Sequence, residues 1–137
     1  MGRVTLEVIV TNNRDLQLAE AGVLPREKVR SFQLQAVVDS GSTHLVLPAD
    51  IAERLDLHRA GEITIRYADR RSESRPLVDQ VQLEMLGRQS TFRAVLEPNR
   101  STALVGAIVL EDLDFVVDCT TQRLVPRDPK YVVSEIE

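Results

Sequence analysis

The chain of 137 residues has no tryptophan, one cysteine, two histidines and only 4% aromatic residues. A single Cys119 permits no internal disulfide, and with only His44 and His58 for company it cannot assemble a structural zinc set. Cys119 is therefore expected as a small core or strand residue instead of a reactive thiol. Positive charge is also short. Lys and Arg number 17 against 21 Asp and Glu, a formal net charge of -4, which gives no basic footprint for nucleic acid. No apolar run approaches the roughly 18 residues of a membrane-spanning helix, and the opening Met1-Gly2-Arg3-Val4-Thr5-Leu6-Glu7 lacks the apolar segment of a secretory signal. The expectation is a soluble, cytoplasmic protein with neither membrane nor nucleic acid as partner.

What is present is a hydrophobic content of 43%, enough for a real core in a chain that fits one domain over residues 1–137. The pattern is mainly extended. Val4 to Val10 alternates apolar and polar residues as a first strand near an edge, and Asp15 to Gly22 suits a helical turn or two. Phe32, Leu34, Ala36 and Val38 alternate inward, and Leu45-Val46-Leu47 resumes an extended run. Pro48 then opens a short helix with Ile51, Ala52 and Leu55 on one buried face. A β-meander follows between Glu62 and Val95, then an apolar run Ala103 to Leu110 around Gly106, and a closing hairpin of Phe115 to Asp118 with Arg123 to Pro126. Val132, Val133 and Ile136 could supply a last strand.

Between the second and third runs lies Val37-Val38-Asp39-Ser40-Gly41-Ser42-Thr43. Taken alone, Asp-Ser-Gly is what an Asx-type turn between two strands uses. Combined with Leu104-Val105-Gly106 and the closing Arg123-Leu124-Val125-Pro126, it resembles the retropepsin-like aspartic proteases, most closely the small single-domain bacterial and retroviral-type members, over a core of about residues 32–126.

The resemblance implies an all-β fold: a closed, mainly antiparallel β-barrel with one or two short helices. It implies an aspartic endopeptidase in which Asp39 is catalytic and a homodimer supplies the second Asp39, with a peptide or protein as substrate and with no metal and no cofactor. Gly41 and Gly106 would allow close backbone approach in the active-site loop. Ser40 matches the position that reaches across the dimer axis. Ser42 matches the one that donates to the outer oxygen of the carboxylate, which favours the ionised form and sets an activity optimum on the acid side of that of an alanine variant. A flap would fall at Tyr67-Ala68-Asp69-Arg70, within a segment that, unlike retroviral flaps, has no glycine between Gly61 and Gly87.

Other constellations point elsewhere more weakly. Glu111, Asp112, Asp114 and Asp118 match no metal-binding loop and read as solvated carboxylates. His44, two residues beyond Ser42, lacks the third orienting acid of a Ser-His hydrolase, and His58 reads as an exposed polar residue. The reading from a different class is a catalytically silent protease-like module for dimerisation or peptide binding.

Overall fold

The structure, a computed structural model, describes residues 3–137. Nine strands and three short helices follow the apolar periodicity of the chain. β1 (Thr5–Asn12) buries Val8 and Val10 and turns Glu7 and Ile9 outward. β2 (Ser31–Val38) buries Leu34 and Ala36 in the same way. Between them run α1 (Asn13–Glu20) and a 3-10 turn at Arg26–Lys28. β3 (Leu45–Pro48) leads straight into α2 (Ala49–Arg54). The meander is β4 (His58–Arg66), β5 (Ser72–Met85) and β6 (Arg88–Glu97), followed by β7 (Ala103–Val105), α3 (Ala107–Leu113), β8 (Phe115–Asp118) and β9 (Arg123–Pro126).

Seven strands form one sheet in the order β1-β2-β7-β3-β6-β5-β4, and a further β1–β5 pairing closes six of them into a barrel. β2–β7 and β3–β6 run parallel and the other pairs antiparallel. β8 and β9 make a separate hairpin. Inside the ring Leu45, Leu47, Leu83, Val10 and Val105 are fully buried, each worth roughly 2 kcal/mol of apolar transfer.

Four expectations are corrected. β1 is no edge strand, because pairing β2 on one side and β5 on the other makes it the strand that closes the barrel. The apolar run around Gly106 is half strand and half helix, since α3 begins at Ala107, so the helices number three. Cys119 is exposed in the turn between β8 and β9. Asp114 is buried beside Arg127, 2.7 Å away, so it is not a solvated carboxylate.

The region of Val132, Val133 and Ile136 is not a strand in the chain described. It is pinned to the body instead: Arg127 donates to the Val133 carbonyl at 2.8 Å, and the Val133 N–H donates to Asp114 Oδ2 at 2.9 Å. Arg88 adds bonds to the carbonyls of Leu113, Asp114, Asp128 and Tyr131. No helix among the described residues is long and apolar enough to cross a membrane.

Candidate active site

Asp39 follows the last residue of β2, and local bonds decide how its carboxylate points. The Gly41 N–H donates to Oδ1 at 3.0 Å and the Ser42 hydroxyl donates to Oδ2 at 2.9 Å. The Gly41 bond to Oδ1 makes Asp39 the start of an Asx-type turn, and the Ser42 N–H adds a backbone bond to the Asp39 carbonyl at 3.1 Å. Both carboxylate oxygens are thus oriented by neutral donors, and among the described residues no cation is paired with Asp39.

A second chain segment braces this turn from behind. The Asp39 N–H donates to the Val105 carbonyl at 2.9 Å, and the first turn of α3 returns two bonds: Ala107 N–H to Ser42 O at 2.7 Å and Ile108 N–H to Thr43 O at 3.0 Å. Gly106 lies at the crossing. A Cβ there would come within 2.5 Å of the His44 carbonyl oxygen and 2.7 Å of that of Ser42, and both are backbone atoms that cannot swing away. Gly41 is needed less for conformation than for crowding, because its Cβ would meet Asp39 Oδ1 at 3.2 Å, the oxygen its own N–H holds.

The β4–β5 hairpin turns above this floor. Ile65 pairs with Glu73 and Arg66 with Ser72, and the turn is closed by Tyr67 N–H to Arg71 O at 2.8 Å and Arg70 N–H to Tyr67 O at 2.9 Å. Arg70 takes the left-handed conformation, φ 70°, that a glycine would otherwise occupy. Asp69 Oδ1 accepts from the Arg71 N–H and stiffens the tip.

Asp39, Gly41, Ser42, Tyr67 and Ala68 line one groove of about 870 Å³. Asp69 and Arg70, also expected at the site, shape the turn and do not line that groove. Ser40 lies on the other side of Asp39, where both line a second cleft of about 580 Å³ with Val37, Val38, Leu104 and Val117. His44 faces a separate recess with Arg93 and Asp112, and desolvation, helped by the Arg93 charge, pushes its imidazole below the ordinary histidine value.

The sequence did not point to the polar anchor at the groove wall. Tyr67 donates its hydroxyl proton to Glu97, and Arg75 Nε donates to that hydroxyl at 3.1 Å and to Glu97 Oε1 at 2.9 Å. Burial and then the Glu97 contact push the phenol above its usual value, so it stays a donor across the physiological range. Arg71 stacks over the Tyr67 ring at 4.5 Å. The residues that build this anchor come from the hairpin and the end of β6, and only the β5–β6 register brings them together.

The barrel as a whole matches known structures. The chain is similar to the EIAV protease solved with the inhibitor HBY-793, with a TM-score of 0.55 and 18% identity over 82% of this chain and 88% of that one. The fold is retropepsin-like. Two foamy-virus structures are also similar. The simian foamy virus (mac) protease gives a TM-score of 0.46 at 18% identity, covering 57% of this chain and 80% of that one. The foamy viral protease-reverse transcriptase, solved with an RNA/DNA hybrid, gives 0.48 at 14% identity, covering 57% of this chain and 10% of that one. No family model and no curated protein matches the chain. Within the retropepsin-like barrel, the groove between the Asp39 turn and the hairpin sets a carboxylate among polar and apolar lining residues.

Proposed function

We propose that the chain is an aspartic endopeptidase that works as a homodimer, hydrolysing peptide bonds with a water activated by two Asp39 carboxylates, one from each protomer. The observation that carries this reading is the setting of Asp39 at the groove floor: fixed by Gly41 N–H and the Ser42 hydroxyl, without a paired cation among the described residues, beneath a hairpin that lines the same groove.

One protomer holds half of the chemistry. Two carboxylates brought face to face cannot both ionise, so the pair carries one proton. The ionised member takes a proton from the water as it attacks the scissile carbonyl, while the protonated member donates to the carbonyl oxygen. Collapse of the tetrahedral intermediate returns a proton to the amine leaving group. The role of Gly41 N–H and Ser42 is to keep each carboxylate coplanar with its turn through these transfers. Ser40, exposed beside the second cleft, would hydrogen-bond across the two-fold axis of that dimer, and the apolar wall of the cleft is surface a second copy would cover. Closure of the hairpin as a flap over the substrate would exclude bulk water.

A second reading, a silent peptide-binding module of the same fold, is favoured by the hairpin itself. Its turn has no glycine, and Tyr67 is tied to Glu97 and Arg75. Hydrolysis of a diverse peptide library from acid to neutral pH, with oligomeric state followed by light scattering and Asp39→Asn as control, separates the two. Cleavage that disappears with Asp39→Asn supports the peptidase. A folded dimer that binds peptides and cuts none of them favours the module.

A further inference from the structure

The whole chain is acidic, yet the groove is not. Its charged lining consists of Arg66, Arg71, Arg75 and Arg100 against Asp39 and Glu97. Arg75 and Glu97 cancel, with Nε 2.9 Å from the carboxylate. Arg66 and Arg100 have no ion pair among the described residues. Arg100 is nonetheless oriented, because its Nε donates to the Thr102 carbonyl at 2.8 Å. Arg71 has Asp69 and Glu73 only at 3.8 Å, and neither lines the groove. Three arginines without a close ion pair therefore line the groove around a single carboxylate.

We infer that the groove selects extended peptides bearing Asp or Glu side chains on either side of the segment held over Asp39. This rests on the peptide-groove reading of Proposed function and names its substrate class. A peptide of that kind would be repelled by the Asp39 carboxylates in a neutral groove. Arg66 and Arg71 at the hairpin and Arg100 in the loop between β6 and β7 offset that repulsion and offer planar forks that match a carboxylate in two parallel hydrogen bonds. In a homodimer each arginine occurs twice, so acidic side chains would be met on both sides of the floor. A neutral or basic peptide would leave the forks unmatched and gain nothing from them.

The test uses the full chain as Asp39→Asn, so that the probe is not cut, and two fluorescent peptides of one sequence that differ only in carrying glutamate or glutamine at alternate positions flanking the central bond. The glutamate peptide is expected to bind about tenfold more tightly at low salt, with the gap closing near 0.5 M salt as the charges are screened. Arg66→Gln combined with Arg100→Gln should remove most of the preference. Equal binding of the two peptides, or failure of the glutamate peptide to bind, overturns the inference without reference to any arginine variant. A preference that survives the double substitution overturns the assignment to these arginines. Cleavage by the unmodified chain is read in parallel. Equal cutting of both peptides overturns the acidic preference while upholding the peptidase, and a glutamate preference in binding with no cutting upholds this inference while ending the peptidase reading.

Discussion

Asp15 and Asp39 are both held by short hydrogen bonds, but from donors of different charge. Asp15, in the first turn of α1 and buried, takes Arg30 Nε at 2.9 Å and Nη2 at 3.0 Å, plus the Arg30 N–H at 3.1 Å. That guanidinium holds the Asp15 carboxyl below its ordinary value against the opposing effect of burial. Asp114 is treated alike, its carboxyl lowered first by the Val133 N–H and then by Arg127. Asp39 has only the Gly41 N–H and the Ser42 hydroxyl. A carboxylate matched by arginine is committed to holding the fold together. One aligned by neutral donors in the lining of a groove is left open to whatever enters it, and this difference, more than the Asp-Ser-Gly spelling, sets Asp39 apart.

The sharpest way to break that comparison is to neutralise each carboxylate in turn. Asp39→Asn should lower peptide hydrolysis by roughly a thousandfold or more while leaving the melting temperature nearly unchanged. Asp15→Asn should do the reverse, with activity per folded molecule retained and stability down by about 1–2 kcal/mol in urea titration, the lower end applying because Arg30 is half exposed. Equal loss of activity in both would remove the distinction.

Gly106→Ala ranks next. The added methyl meets two backbone carbonyls, so a loss of roughly 3 kcal/mol or failure to accumulate as soluble protein is expected. A melting curve superimposable on that of the parent would mean the brace behind Asp39 yields more easily than its geometry indicates.

The pH dependence divides the same way. Because the Asp15 carboxyl is lowered in the folded state, its contribution is fully present above the unfolded value near 4 and disappears as pH falls through the lower folded value. Stability should therefore decline below about pH 4, and less steeply in Asp15→Asn, as followed by denaturant midpoints. The smallest effect is expected at Ser42→Ala, which removes one donor from Asp39 Oδ2. Peptide hydrolysis at fixed pH should fall by roughly tenfold, the effect of one lost hydrogen bond, and an unchanged rate would leave the hydroxyl without a part in orienting the carboxylate.

Much of the frame could be read from residue order because strands with one buried face advertise themselves. The alternation in Thr5–Asn12 and Ser31–Val38, the turn at Asp39 and the Leu86-Gly87 corner between β5 and β6 are local features. The Ala103–Leu110 run was ambiguous for a physical reason: a continuous apolar stretch fits a buried strand and a buried helix equally, and only the contact of Gly106 with the Asp39 turn decides where one gives way to the other. Ionic partners were hidden for a related reason. Tyr67, Arg75 and Glu97, or Asp114, Arg127 and Arg88, are neighbours only through strand register and chain folding, so no spacing along the chain announces them. Cys119 misled because composition speaks for small cysteines in cores, whereas a turn tip can accept one.

The bonds that join Asp39, Ser42 and Thr43 to Val105, Ala107 and Ile108 also impose a schedule. Until the chain has been made through α3 and has folded back, nothing braces the Asp39 turn, and the pairing of such distant segments is among the slower steps of folding. A ribosome-bound fragment ending before that helix would carry the acidic residue and its local donors but not the brace behind them. Order behind the groove floor therefore comes with α3, and not with the Asp-Ser-Gly segment itself.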